Sequence, residues 1–204
     1  FKQINQLDKM GIKFGIASGR QYQYLAKCFE PVKDKMIFIA QNGSHIRINN
    51  EILSLNPLPK DEVKKWVIEC EKLPDSKPIL SGAKAGYCYT EEERFIKCFD
   101  EYYECYINSE DYLDKMMKDD ILSVSICDLK DVEKCTYEKY KKYQTDYQVK
   151  IAGDIWMDIN QKDVNKGIAV KKIQDHFGIS AEETMVFGDY MNDYEMMKYA
   201  AYSV

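Results

Sequence analysis

The sequence has no apolar run approaching the roughly 18 uninterrupted residues of a membrane-spanning helix, so no membrane partner is expected. Phe1-Lys2-Gln3-Ile4-Asn5 also lacks the apolar region of a secretory signal. Histidine is nearly missing: His45 and His176 alone cannot build a histidine-rich metal site. The seven cysteines, at 28, 70, 88, 98, 105, 127 and 135, include no Cys-x-x-Cys pair. An odd, scattered set fits buried thiols in a reducing cytoplasm better than a disulfide framework or a zinc site. There is no Gly-rich Walker loop and no Gly-x-Gly-x-x-Gly, which argues against a P-loop enzyme and a dinucleotide oxidoreductase. Positive charge is in the minority, with 29 Lys and Arg against 34 Asp and Glu, and forms no stripe. Nucleic acid is therefore not an expected partner.

What is present is enough for one large domain or two small ones: 204 residues, 45% of them apolar. Ile4, Leu7 and Met10 have helical spacing, with Gly11 as a C-terminal stop. Ile12–Ala17 and Met36–Ala40 read as buried strands. The first runs into Ser18-Gly19-Arg20 and a helix. There a hydroxyl and free N–H groups could meet an anion, although serine is also the standard N-cap. The second ends at Gln41-Asn42-Gly43-Ser44, a turn signal followed by a hairpin at Asn49-Asn50.

Asn56-Pro57-Leu58-Pro59 reads as a linker. Beyond it the pattern becomes α+β, with helices from Asp61, behind Thr90 and from Val132, and a half-buried strand at 121–127. Thr90–Glu93 is predicted to be a capping box, and the many tyrosines are predicted to be packing residues. A strand at 155–159 leads back to a helix from Asp163 to Phe177, closed by Gly178. If Asp163 caps it, Lys166 lies in the first turn, where the dipole disfavours a cation unless an anion binds there. A lysine without a role is the alternative.

The most informative stretch is Val186-Phe187-Gly188-Asp189-Tyr190-Met191-Asn192-Asp193. A short buried strand ends at Gly188, and Asp189, Asn192 and Asp193 follow at its carboxyl end, where open α/β sheets bind ligands. Two carboxylates and an amide suit a hard cation such as Mg2+; a polar turn is the competing explanation.

In this order, Gly-Ile-Lys-Phe-Gly-Ile-Ala-Ser-Gly-Arg, Gln-Asn-Gly-Ser, Val-Asn-Lys-Gly and Gly-Asp-Tyr-Met-Asn-Asp resemble the Cof-type phosphatases of the haloacid dehalogenase superfamily. The resemblance covers about 1–56 and 152–204. It implies an α/β fold: a Rossmann-like core in two parts, 1–56 and 152–204, with an inserted α+β cap at 57–151 that closes over small phosphorylated substrates. It further implies that Ser18 holds the transferring phosphoryl group and Lys166 neutralises charge. Asp189 would bind magnesium, and Asp193 would support the metal or pair with Lys166. Gly19, Asn42, Gly43 and Asn192 would position phosphate or substrate.

One departure stands out. The family's Asp-x-Asp nucleophile motif on the first strand has no match in residues 1–11, and Asp8 sits in the wrong context. The expectation is a segment cut at both ends, inactive by itself and less stable than the whole. The leading reading is a magnesium-dependent phosphatase of small metabolites such as sugar phosphates, acting through an aspartyl-phosphate formed upstream of Phe1. A non-catalytic phosphate-ligand-binding protein is the alternative, and phosphoryl transfer within a sugar is a third possibility. Oligomeric state is not fixed by any pattern.

Overall fold

The computed structural model describes residues 1–204. The first elements are α1 (Lys2–Lys9), β1 (Phe14–Ala17), α2 (Tyr22–Cys28), β2 (Met36–Ala40), β3 (His45–Ile48) and β4 (Glu51–Leu55). Next come α3 (Lys60–Cys70), β5 (Ser76–Gly82), β6 (Gly86–Cys88), α4 (Glu93–Tyr102), β7 (Tyr106–Asn108), α5 (Tyr112–Met116) and β8 (Ile121–Asp128). The last are α6 (Glu138–Tyr140), β9 (Tyr147–Gly153), β10 (Trp156–Gln161), α7 (Lys166–Phe177), β11 (Met185–Val186), α8 (Tyr194–Met197) and β12 (Tyr202–Ser203). They form two compact units, one of residues 1–54 with 163–204 and the other of residues 55–162. Residues 152–162, expected in the core, lie instead in the middle unit. The cause is β10, which pairs antiparallel with both β8 and β9.

In the first unit the sheet order is β1-β2-β3-β4. β1 runs parallel to β2, with Phe14 opposite Met36 and Ala17 opposite Ile39. Every residue of β2 is buried, as a continuous apolar run in a two-sided sheet requires. Its period-two alternation sends Met36, Phe38 and Ala40 into one cluster with Ile4 of α1 and Leu25 of α2. Ile37 and Ile39 enter the opposite cluster with Ala169, Val170 and Ile173 of α7. Each such isoleucine or phenylalanine contributes about 2 kcal/mol by burial. The hairpin turns at Asn49 (φ 48°) and Asn50 (φ 66°), the left-handed pair that a two-residue turn needs. β11 pairs in parallel with β12. The Gly188 N–H then donates to the Val204 carbonyl at 3.0 Å, carrying the ladder one step further.

The middle unit is a six-stranded sheet, order β7-β6-β5-β8-β10-β9. Trp66 and Val67 of α3, Tyr112 and Met116 of α5, and Tyr140 pack with Leu80, Val124, Ile126, Met157 and Ile159. The predicted capping box at Thr90–Glu93 does not form. The Thr90 hydroxyl accepts from the Glu92 N–H, and the helix begins only at Glu93 with Glu92 at its N-cap, so Thr90 stands too far upstream to cap it. The helix expected from Val132 is a π-helical turn at Val132–Tyr137, capped by Asp131, that tightens through α6 into a 3₁₀ turn.

Candidate active site

The site is built in the first unit from the loops that leave β1, β2 and β11 and from the start of α7. Past β1, the Ser18 N–H still donates to the Ile39 carbonyl at 2.8 Å. The Ser18 hydroxyl accepts from the Arg20 N–H at 3.1 Å, a local turn rather than a helix cap. Gln21 stands at the N-cap position of α2, without a side-chain cap bond, so the N-cap alternative for Ser18 is not realised. The hydroxyl proton is left to donate elsewhere.

The β2 loop lies against this turn. The Asn42 N–H donates to the Ser18 carbonyl at 3.0 Å, and the Gln41 N–H donates to the Arg20 carbonyl at 3.0 Å. Gln41 (φ 49°) and Asn42 (φ 55°) are both left-handed. A side chain on Gly19 would touch the Asn42 amide at 3.4 Å. Gly43, at φ 102°, fits where any Cβ would stand 2.6 Å from the Asn165 carbonyl. That close approach sets the β2 loop on the first turn of α7.

Asn165, not Asp163, caps α7, accepting from the Ile168 N–H at 2.8 Å. The helix therefore starts three residues later than the sequence pattern indicated, and Lys166 is its first residue. A cation there opposes the helix dipole. It is held by Asp193, with Nζ to Oδ1 at 2.5 Å and both side chains nearly inaccessible. Gly167 packs on the Glu195 backbone, where a Cβ would overlap the carbonyl.

Asp193 ends a 3₁₀ turn at Met191–Asp193. Its Oδ2 accepts from the N–H groups of Asp189 and Tyr190, each at 3.3 Å. Both its oxygens are thus engaged, so it supports the loop, and the exposed Asp189 carboxylate is the one left to bind a ligand. No three His, Cys, Asp or Glu side chains gather anywhere in the chain. Magnesium needs no such cage, since it keeps several waters and takes one or two carboxylates, a description Asp189 fits. The Asn192 amide donates to Asn42 Oδ1 at 3.1 Å, joining the β11 loop to the β2 loop. Ser18, Gly19, Asn42, Gly43, Lys166, Asp189, Asn192 and Asp193 are therefore linked through one chain of contacts.

Sequence reasoning missed Asn165, although an Asn directly before a helical pattern is a cap signal. It also gave no role to Gln21 and Gln41. Both are buried in these loops, and their side-chain amides have no hydrogen-bond partner. Chemically, a hydroxyl, amides, a buried ammonium and one free carboxylate suit a phosphate group beside a hard cation.

Residues 2–204 match the family model of haloacid dehalogenase-like hydrolases. The Escherichia coli 5-amino-6-(5-phospho-D-ribitylamino)uracil phosphatase YbjI is 27% identical over 98% of this chain and 74% of its own length. A solved structure from Eubacterium rectale is 28% identical, covers 98% of this chain and 76% of that one, and superposes with a TM-score of 0.84. The subclass IIB sugar phosphatase BT4131, 21% identical over 99% of this chain and 76% of that one, has a TM-score of 0.76 and shares the fold. The architecture in common is a Rossmann-like core with an inserted cap.

Proposed function

Because this chain belongs to the haloacid dehalogenase-like hydrolase family, we propose that it is the body of a magnesium-dependent phosphatase of small phosphorylated metabolites such as sugar phosphates. The observation that carries this reading is the buried Lys166–Asp193 pair, placed by Gly43 and Asn165 at the loops that hold Ser18 and Asn42. Phosphoryl transfer is mostly positioning and charge neutralisation, and these residues supply both. The Ser18 hydroxyl donates to a phosphoryl oxygen. Lys166 offsets the negative charge of the group in transfer, and Asp193 fixes the ammonium. Asn42 and Asn192 orient the ester, with Gly19 leaving the approach open. Asp189 would hold magnesium, which when bound neutralises phosphate charge.

The covalent step is assigned to an aspartate that residues 1–204 do not contain. A cytoplasmic setting is proposed on the strength of seven cysteines, none of them in a disulfide. No helix is long and apolar enough to cross a membrane.

The test is Asp189→Asn in the full-length protein, with phosphate release measured across a panel of sugar phosphates with and without magnesium. Loss of at least a hundredfold in kcat/KM is expected; unchanged magnesium-dependent turnover rejects the assignment. The second reading, a protein that binds phosphate ligands without reaction, is favoured by one observation: both Asp193 oxygens are taken, by Lys166 and by the Asp189 and Tyr190 amides. Calorimetric binding of a sugar phosphate without turnover would select it.

A further inference from the structure

α4 lies on one face of the middle sheet through a stripe at helical spacing, Phe95, Cys98, Phe99 and Tyr102. Phe95 and Phe99 are buried there with Ile79, Cys127 and Trp156. The Phe99 ring sits 6.0 Å from that of Trp156, and Trp156 is directly opposite Cys127 in the β10–β8 register. Cys98, next to Phe99 on the helix, therefore comes down over Cys127, and a side-chain hydrogen bond joins the two thiols. The Cys98 S–H donates to the Arg94 carbonyl at 3.2 Å, so between the thiols Cys127 is the donor and Cys98 the acceptor.

The two thiols differ in access. Cys98 is half-buried and Cys127 is buried. Burial pushes the Cys127 thiol up, and its neighbour Cys98 adds to the shift. Cys98 is thus the sulfur that a small solute meets, with a protonated thiol held behind it. Cys88, the third thiol of this cluster, cannot bridge to Cys127. β5 lies between β6 and β8, so Cys88 and Cys127 stand about 10 Å apart, beyond the limit of about 7 Å between the Cα atoms of a disulfide. Cys70 belongs to the cluster on the opposite face of the sheet. Buried cysteines most often serve only as small apolar packing. Here two thiols touch, and one of them is within reach of solvent.

We propose that Cys98 and Cys127 form a peroxide-responsive dithiol, closing to a disulfide that pins α4 to β8 and reopening under a dithiol reductant. The Cys98 sulfur takes one oxygen of hydrogen peroxide; the O–O bond breaks and the other oxygen leaves as water, giving a sulfenic acid. The Cys127 sulfur then attacks the Cys98 sulfur. The S–O bond breaks, the S–S bond forms, and a second water leaves with the Cys127 proton. Two thiols are oxidised and one peroxide is reduced. The raised pKa of Cys127 slows its attack, and contact with Cys98 offsets this through a high effective concentration. A dithiol reductant reverses the bridge, its own thiols becoming a disulfide.

The test treats the full-length protein with hydrogen peroxide, removes the excess with catalase, alkylates the remaining thiols in denaturant and maps peptides without reduction. A peptide pair joined through Cys98 and Cys127, lighter by two hydrogens than the free peptides and split by dithiothreitol, is expected. In the bridged protein, amide exchange across residues 93–102 is expected to slow by about tenfold or more. Cys127→Ser is expected to stop at a sulfenic acid on Cys98 that dimedone traps. Should that variant fail to fold, Cys98→Ser, changed at the half-buried position, decides: Cys127 stays reduced at the same peroxide dose, and its oxidation there overturns the proposal. Three outcomes in wild type also overturn it: sulfinic acid on Cys98 with Cys127 still reduced, a bridge from either to another cysteine, or both thiols intact after Cys28 and Cys105 have been oxidised. Unchanged exchange across 93–102 in the bridged protein overturns the pinning of α4.

Discussion

Lys166 Nζ lies 2.5 Å from Asp193 Oδ1, across 27 residues of sequence, with neither side chain open to water. Removing one member of such a pair leaves a buried charge unpaired. Asp193→Asn is therefore expected to cost about 3–5 kcal/mol in urea unfolding. It also weakens the hold on the Asp189 and Tyr190 amides. A loss below about 1 kcal/mol would show that the ammonium finds another partner.

Gly43 carries two constraints at once, a φ of 102° and the Asn165 carbonyl where a side chain would be. Gly43→Ala is expected to lower stability by about 2–4 kcal/mol, more than strain at the residue alone, because α7 must move. Asn165→Ala removes only the cap and is expected to cost about 1 kcal/mol. Thermal unfolding of the two variants checks the order.

Asp158 gives stability a pH dependence of known sign. Its folded-state pKa is raised from 3.8 by burial, so the charged form is disfavoured in the native state. The stability linked to it is fully present below the unfolded value and is lost as pH rises through the folded one. The difference in unfolding free energy, wild type minus Asp158→Asn, is therefore expected to fall between pH 4 and pH 7. Urea titrations at the two pH values measure it, and a rise would reverse the assignment.

The thiols are expected to label in a fixed order. Burial pushes Cys70 and Cys88 up to about 12, which leaves on the order of one thiolate in ten thousand at pH 8. Cys28 and Cys105 are exposed. Iodoacetamide with peptide mapping should modify the exposed pair in native protein, and Cys70 and Cys88 only after denaturation.

The clearest elements in the sequence were those in which local and global preferences agree. The run Met36–Ala40, the Asn49-Asn50 hairpin and the Gly178 stop, at φ 66°, each need one conformation and contain the residues for it. β7, at three residues, is too short to show alternation. The capping box at Thr90 fails because the helix begins at Glu93, with Glu92 at its N-cap, and a start point set by packing is not written in the box residues. Residues 152–162 were read with the core because a strand's partners cannot be read from its own sequence. In the site, residue types and order pointed to Ser18, Lys166 and Asp189. The engagement of both Asp193 oxygens depends on folded geometry and was not legible.

The first unit is built from two stretches of chain separated by the whole of the middle one. Closing an unstructured loop of that length, on the order of a hundred residues, would cost roughly 4 kcal/mol in entropy. The middle unit avoids most of this once folded. Gln161 Nε2 donates to the Pro57 carbonyl at 2.7 Å, so residues near its entry and exit are already side by side. The expected order of assembly is therefore the middle unit first, from contiguous chain, after which β2 and α7 meet as if joined by a short connector. Slowing the collapse around Trp66 should therefore delay formation of the Lys166–Asp193 pair, through the length of the loop to be closed.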